Sequence, residues 1–210
     1  MPADRRPIAS RNTRIAARIA RALAGRGVSP NRISQASMGF AALAGAAFWA
    51  SGAVSGPLYG VLLALAALGC QLRLLCNLFD GMVAVEGGQG APDGPFWNEA
   101  PDRVADILIL VGMGYGAGAP ALGWAAAALA VLTAYFRELG GAQGMAADFR
   151  GPMAKPQRMA LATGAAVLAI FLPGLAGVPI LAAALWLIAA GAVLTALGRS
   201  ARLIAALKQR

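Results

Sequence analysis

Residues 57–84 read PLYGVLLALAALGCQLRLLCNLFDGMVA. As far as Cys70 the stretch is continuously apolar, which is typical of a helix that lies in a lipid bilayer. Polar residues then occur at its later end only, at Gln71, Arg73, Asn77 and Asp80. The stretch therefore predicts a helix that crosses a membrane and carries polar side chains where it leaves the lipid.

The composition of the whole chain supports a membrane protein. Of 210 residues, 59% are apolar and 13% are charged, whereas about a quarter of the residues in a soluble domain are charged. The net charge of +9, combined with this apolar content, favours an anionic membrane surface or substrate over nucleic acid. The chain contains no histidine, which excludes histidine bases and histidine metal ligands.

Six apolar stretches predict an all-α membrane protein with six transmembrane helices, each near the ~20 residues that cross a bilayer. We place these helices at 33–52, from Pro57 into the polar residues after Cys70, and at 98–115, 121–136, 158–172 and 178–197. The intervening loops 53–56, 114–121 and 172–178 contain no charged residue. Six spans place all 18 basic residues on one side, which the positive-inside rule identifies as the cytoplasm. Both termini are therefore predicted to be cytoplasmic, in a bacterial-type inner membrane.

The chain ends are basic. Residues 10–25 read SRNTRIAARIARALAG, in which isoleucines and a leucine recur every four residues between arginines. This pattern predicts an amphipathic juxtamembrane helix on an anionic membrane surface, with a targeting helix as the alternative. We therefore divide the chain into a surface arm (1–32), a six-helix transmembrane domain (33–198) and a basic cytoplasmic tail (199–210).

Acidic residues gather on two neighbouring predicted helices. Asp80 lies three residues after Asn77, and Asp102 and Asp106 lie four apart, so each pair shares one helix face. Glu99 lies close to the second face. Helices joined by a loop are natural neighbours, so we expect these side chains to converge at the cytoplasmic helix ends.

Carboxylates in a membrane are energetically costly and persist where cations hold them. Oxygen ligands without histidine or cysteine point to a hard divalent cation such as Mg²⁺, Mn²⁺ or Ca²⁺. The alternative interpretation is a set of interhelical salt bridges, with Arg73 and Arg103 as the basic partners.

Two stretches, NLFDGMVA (77–84) and PDRVAD (101–106), resemble the signature of the CDP-alcohol phosphotransferases, D-x2-D-G-x2-A-R followed by G-x3-D-x3-D. Asp80, Gly81 and Ala84 match its second aspartate, glycine and alanine, and Asp102 and Asp106 match the closing pair. Three further stretches resemble other characteristic segments of the family: SPNRIS (29–34), FREL (136–139) and GPMAKPQRMA (151–160).

The sequence departs from this signature in places. Asn77 stands at the first aspartate, Val85 at the arginine, and the loop is longer, with Asn98 at the last glycine. Strict spacing would instead put Gly94, Asn98 and Asp102 in the motif. We reject that register because it leaves two carboxylates for two metals and a base.

The resemblance implies an enzyme of phospholipid biosynthesis. It would transfer a phosphatidyl-type group from a CDP-alcohol, expected to be CDP-diacylglycerol, to an acceptor alcohol and release CMP. Asp80, Asp102, Asp106 and, more weakly, Asn77 would bind two Mg²⁺ or Mn²⁺ ions, with Glu99 conjectured to compensate for Asn77. Asp106 is also the candidate general base, and small residues at Gly81 and Ala84 would let the nucleotide approach the helix.

A second basic group lies on the predicted cytoplasmic side and comprises Arg137, Arg150, Lys155 and Arg158. These residues are expected to bind an anionic acceptor such as a phosphorylated alcohol; the alternative is anchoring to lipid headgroups. The acceptor itself is not specified by the sequence.

Two other function classes stay open. Asn77 and Val85 favour a non-catalytic relative that binds nucleotide or lipid. A small transporter or membrane scaffold would place polar groups near mid-membrane, whereas here they gather at one face. Homodimers are usual in the resembled family. Gly112 and Gly116 have the GxxxG spacing of close helix packing, which by itself identifies no dimer face.

Overall fold

The structure is a computed structural model that describes residues 13–86 and 92–209. Within these ranges the chain forms seven α-helices and one short β-hairpin. In chain order they are α1 (Arg14–Gly25), α2 (Pro30–Ser51), α3 (Pro57–Glu86), α4 (Gly94–Gly116), α5 (Pro120–Ala142), α6 (Lys155–Phe171), β1 (Gly174–Leu175), β2 (Val178–Pro179) and α7 (Ile180–Lys208). Residues 1–12 of the predicted arm lie outside the described residues.

The helices form one bundle whose neighbours are not always consecutive in sequence. α2 packs against both α3 and α4, α5 packs against α4 and α7, and α6 packs against α3 and α7. The buried core consists largely of alanines, together with larger residues such as Phe48, Leu110 and Met113. Small core residues allow the helices to approach closely, as is common in membrane proteins.

Glycines line the contact between α2 and α4. A Cβ added at Gly112 would overlap the backbone of Gly45, and one added at Gly116 would overlap the carbonyl of Phe48. The two helix backbones therefore touch, and the GxxxG spacing of α4 serves a contact within the chain.

Local signals explain several helix starts. Pro30, Pro57 and Pro120 each occupy the first position of a helix, where the missing N–H is not needed. The Ser29 hydroxyl accepts a hydrogen bond from the backbone N–H of Arg32 at the start of α2. α4 contains Pro101 in its interior, directly before Asp102.

Four helices within the described residues are long and apolar enough to cross a membrane: Pro30–Ser51, Pro57–Val85, Pro120–Ala142 and Ile180–Lys208. An all-α membrane protein is therefore supported. α4 has 23 residues but carries four charged residues between Glu99 and Asp106, and α6 has only 17 residues. The count of six spans remains a prediction.

The two basic chain ends are helical where they are described. α1 packs Ala16 and Ala20 against α3, near Leu78 and Met82. Ile15, one of the residues predicted to face the membrane, is 73% exposed. At the other end, residues 199–208 of the predicted tail continue α7 without a break.

Candidate functional site

The carboxylate of Asp102 joins three helices. Arg73 and Asn77, one turn apart on α3, donate hydrogen bonds to its Oδ1, from Nη2 at 3.2 Å and from Nδ2 at 2.9 Å. Lys155, at the start of α6, donates from Nζ to its Oδ2. Asp102 is therefore held by side chains from both α3 and α6.

Asp106 lies one turn further along α4 and is fully buried. Its Oδ2 accepts a hydrogen bond from Arg158 Nη2 at 2.6 Å, and its Oδ1 accepts one from Arg73 Nη2 at 3.4 Å. Both carboxylate oxygens are thus engaged by guanidinium groups, so a role as base requires that one of these bonds opens.

Asp80 occupies the next turn of α3 after Asn77. Its Oδ2 accepts a hydrogen bond from the hydroxyl of Ser34 on α2, at 2.7 Å. The carboxylate lies close enough to Asp102 for the two charges to interact. No ion pair to Asp80 occurs within residues 13–86 and 92–209. Asp80 is therefore the member of the cluster whose charge is least compensated by direct partners.

The structure brings together Asn77, Asp80, Asp102 and Asp106, as the helical spacing predicts. It also contains ion pairs, which were the alternative interpretation of the sequence. Arg73 forms two of them, as that interpretation predicted, and Lys155 and Arg158 are further basic partners. Arg103 lies 3.7 Å from Asp102 and pairs more closely with Glu99, at 3.2 Å.

Other candidate residues lie at the edge of this cluster. Asn98, which belongs to the rejected motif register, is exposed and donates a hydrogen bond to Glu99. Glu99 itself pairs with Arg103 and Arg137, so arginines already engage its carboxylate. Gly81 and Ala84 are half-buried on α3, on the turns that follow Asp80.

The donor atoms of the cluster fit a hard divalent cation. Asn77 donates through Nδ2, which leaves its Oδ1 as an oxygen donor one helical turn before Asp80, and oxygen donors are those that Mg²⁺ and Mn²⁺ prefer. In the described part of the chain, however, no group of three or more acidic or cysteine side chains is arranged to hold a metal ion. The geometry supports a cation beside Asp80 more clearly than a cage of carboxylates.

The predicted acceptor-binding residues divide into two groups. Lys155 and Arg158 bind the carboxylates of Asp102 and Asp106. Arg137 and Arg150 instead line a cavity of about 220 Å³ between the ends of α5 and α7, together with Phe136 and other residues.

Two further arginines in this cavity, Arg199 and Arg202, were assigned by the sequence to the tail and not to a site. Arg199 is 5% exposed and donates hydrogen bonds to the backbone carbonyls of Thr133, at 2.6 Å, and Arg150, at 3.0 Å. The sequence gives little indication that these two arginines belong to a site, because arginines after the last apolar stretch are also typical of a cytoplasmic tail.

Asp148 is the acidic residue of the cavity lining. Burial raises the pKa of its carboxyl group, but hydrogen bonds from Arg150 and Arg202 outweigh this effect and bring the pKa to about 2. Asp148 is therefore ionised at neutral pH and holds Arg150 and Arg202 at the cavity wall, at 2.9 and 2.7 Å.

Thr133 connects the cavity with the carboxylate cluster. The Thr133 hydroxyl accepts a hydrogen bond from Arg158 Nη1 at 3.3 Å, and the Thr133 carbonyl accepts one from Arg199. Arg158 connects in turn to Asp106. An anion bound to Arg199 in the cavity would thus be connected to Asp106 through Thr133 and Arg158.

Three of the solved structures that are similar to this chain belong to one enzyme. All are crystal structures of the phosphatidylinositol phosphate synthase of Mycobacterium tuberculosis, each with 20% sequence identity. The structure with CDP-DAG bound has a TM-score of 0.74 and covers 91% of this chain and 94% of its own. The complex with manganese and citrate has a TM-score of 0.73, with 90% and 88% covered. The apo form has a TM-score of 0.67, with 86% and 92% covered.

At this identity the likeness shows that this chain shares the fold of that synthase, which supports the predicted all-α membrane protein. No protein-family model matches the sequence, and no curated protein matches it significantly.

Proposed function

We propose that this chain is a CDP-alcohol phosphotransferase that transfers a phosphatidyl-type group from a CDP-alcohol to an acceptor alcohol and releases CMP. The observation that carries the proposal is the convergence of Asp80, Asp102 and Asp106, from motif positions on α3 and α4, inside a fold shared with a phosphatidylinositol phosphate synthase. CDP-diacylglycerol is the proposed donor, because the similar enzyme was solved with CDP-DAG bound.

The residues have distinct proposed roles. Asp80 and Asn77 would hold a divalent metal ion, Mg²⁺ or Mn²⁺, in line with the manganese complex of the similar enzyme. Asp102, also predicted as a ligand, accepts hydrogen bonds from Arg73, Asn77 and Lys155 and would orient these side chains beside the ion. Such an ion supplies positive charge that stabilises the transferring phosphoryl group and the leaving phosphate. Asp106 would accept the proton of the attacking hydroxyl once a guanidinium bond to it opens. Gly81 and Ala84 would leave space for the nucleotide.

The acceptor is proposed to be anionic. Four arginines face one cavity, and Asp148 is their acidic neighbour among the described residues that line it. Guanidinium groups bind phosphate and carboxylate through paired hydrogen bonds. A phosphorylated alcohol in this cavity would place its free hydroxyl toward Arg158 and Asp106. Lys155 and Arg158 would contribute through the carboxylates that they bind.

The membrane arrangement follows from the same proposal. Six spans require that α4 and α6 cross the bilayer with the four helices that are long and apolar enough to do so, which puts the site and both termini on the basic, cytoplasmic side. α1 would lie on the lipid surface, and the chain would form a homodimer.

The catalytic proposal predicts CMP release. The purified full-length chain, supplied with Mg²⁺ or Mn²⁺, CDP-diacylglycerol and a pool of alcohols, is expected to release CMP and to form a phospholipid, identified by mass spectrometry. Each acceptor is then tested alone. Absence of CMP with every acceptor would contradict catalysis and favour the second candidate function.

That second candidate is a non-catalytic relative that binds a nucleotide or lipid. It is favoured by Asn77 and by the guanidinium groups on both oxygens of Asp106. Its distinguishing result would be saturable binding of CDP-diacylglycerol without turnover.

Replacement of Arg137 by glutamine is expected to raise the KM for an anionic acceptor about 10-fold or more, because a hydrogen bond to a charged group contributes about 1.5–3 kcal/mol. The KM for the CDP-alcohol should stay unchanged. The measurement is steady-state CMP release at varied acceptor concentration. Arg21→Gln, on the exposed side of α1, is the matched control. Equal effects on charged and neutral acceptors would contradict anion binding by the cavity.

A further inference from the structure

Arg73 is the most deeply buried basic member of the carboxylate cluster. Its side chain is fully buried on α3, and one nitrogen, Nη2, donates to the carboxylates of both Asp102 and Asp106 and to the Asp102 carbonyl. Its Nε and Nη1 are buried without a hydrogen-bond partner among the described residues. A buried guanidinium with two unsatisfied nitrogens is costly, and the negative charges of the two carboxylates offset that cost.

We infer that Arg73 is a resident cation: it occupies, between Asp102 and Asp106, the place where a second divalent ion would otherwise bind, so that one divalent ion binds per chain. This inference deepens the proposed function and rests on it.

The balance of charge supports one ion. Three carboxylates, Asp80, Asp102 and Asp106, face three basic side chains, Arg73, Lys155 and Arg158. A fourth basic side chain, Arg103, lies 3.7 Å from Asp102 but pairs more closely with Glu99, whose negative charge offsets it. Asn77 supplies no fourth negative charge. The cluster is therefore near neutrality before a metal ion binds, and the charge of each added ion has to be matched by the substrate. The diphosphate of a CDP-alcohol carries about two negative charges, which matches a single divalent ion.

The contacts also show where that ion fits. Asp102 and Asp106 accept hydrogen bonds from Arg73 and from Lys155 or Arg158, so their oxygens are engaged. Asp80 has the neutral Ser34 hydroxyl as its hydrogen-bonding side-chain partner. Asn77 directs its Nδ2 to Asp102, and its Oδ1 is the further oxygen donor on α3. The single ion is thus assigned to Asp80 and Asn77.

Metal stoichiometry tests this assignment directly. Mn²⁺ binding to the purified full-length chain, measured by isothermal titration calorimetry and by electron paramagnetic resonance of free Mn²⁺, is expected to give one ion per chain. The double variant Arg73→Gln/Asn77→Asp removes the resident cation and restores an acidic ligand, so it is expected to bind two. Asn77→Asp alone should still bind one, because Arg73 remains. Arg21→Gln is the matched control and should also bind one.

Several results would overturn the inference: two ions or none in the unmodified chain, two ions in Asn77→Asp alone, or one ion in a double variant that melts cooperatively. If the double variant does not fold, the unmodified chain and Asn77→Asp decide the question between them. CMP release is measured on the same samples. Two bound ions together with CMP release would contradict only the role of Arg73. One bound ion without CMP release would contradict only the proposed function.

Discussion

Asp106→Asn is expected to lower CMP release by about 10²–10⁴-fold, the usual contribution of a general base. The substitution keeps the size of the side chain but removes both the proton acceptor and the negative charge that faces Arg73 and Arg158. Initial rates of CMP release at saturating CDP-alcohol and acceptor provide the measurement. Turnover equal to that of the unmodified chain would defeat the assignment of Asp106 as the base.

Loss of a buried charge also destabilises the fold, so stability has to be measured on the same variant. Breaking a buried ion pair by removing one partner costs about 3–5 kcal/mol. Thermal unfolding in detergent therefore accompanies the rate measurement, at a temperature where the variant is folded. Asp93→Asn is the matched control, because Asp93 is exposed and bonds Asn31 and Trp97 away from the cluster.

Gly45→Ala is expected to destabilise the bundle by about 1–3 kcal/mol, the usual penalty for overpacking a core. The added methyl group would meet the backbone carbonyl of Leu108 on α4, and a backbone atom cannot rotate away as a side chain can. Thermal unfolding in a defined detergent measures the change. Loss of CMP release should follow, since α4 carries Asp102 and Asp106.

Gly39→Ala provides the control for this substitution within the same helix. A Cβ at Gly39 meets nothing within 4 Å, and alanine favours the helix over glycine by about 1 kcal/mol. This variant is therefore expected to be as stable as the unmodified chain or more so. Equal stability of Gly45→Ala and Gly39→Ala would show that the α2–α4 contact is looser than the structure indicates.

The sequence predicted helix starts better than helix ends. Pro57 and Pro120 mark their helices because proline favours the first turn. The predicted fourth span stopped at 136, before Arg137 and Glu138, whereas α5 continues to Ala142. Charge shows where a segment leaves lipid, but a backbone outside lipid can stay helical. The hairpin of β1 and β2 was not predicted; it requires a positive φ at Ala176, of 51°, which is rare for alanine.

At the site, local spacing was informative and long-range pairing was not. A separation of three or four residues was enough to place Asn77 with Asp80, and Asp102 with Asp106, on shared helix faces. The partners of these carboxylates, Lys155 and Arg158, lie about fifty residues away on α6, which reaches them because it packs against α3. No periodicity in the sequence encodes that packing.

The length of α3 has a consequence for how a lipid reactant would meet the site. Asp80 lies 23 residues after Pro57, which is about 35 Å of helix at 1.5 Å per residue. The hydrocarbon of a bilayer is only about 30 Å thick, so an α3 that begins at the opposite membrane surface, as the proposed six spans require, would place the carboxylate of Asp80 at the depth of the phosphate layer. A diacyl reactant could therefore diffuse laterally to the protein and present its diphosphate there while both acyl tails stay in their own leaflet.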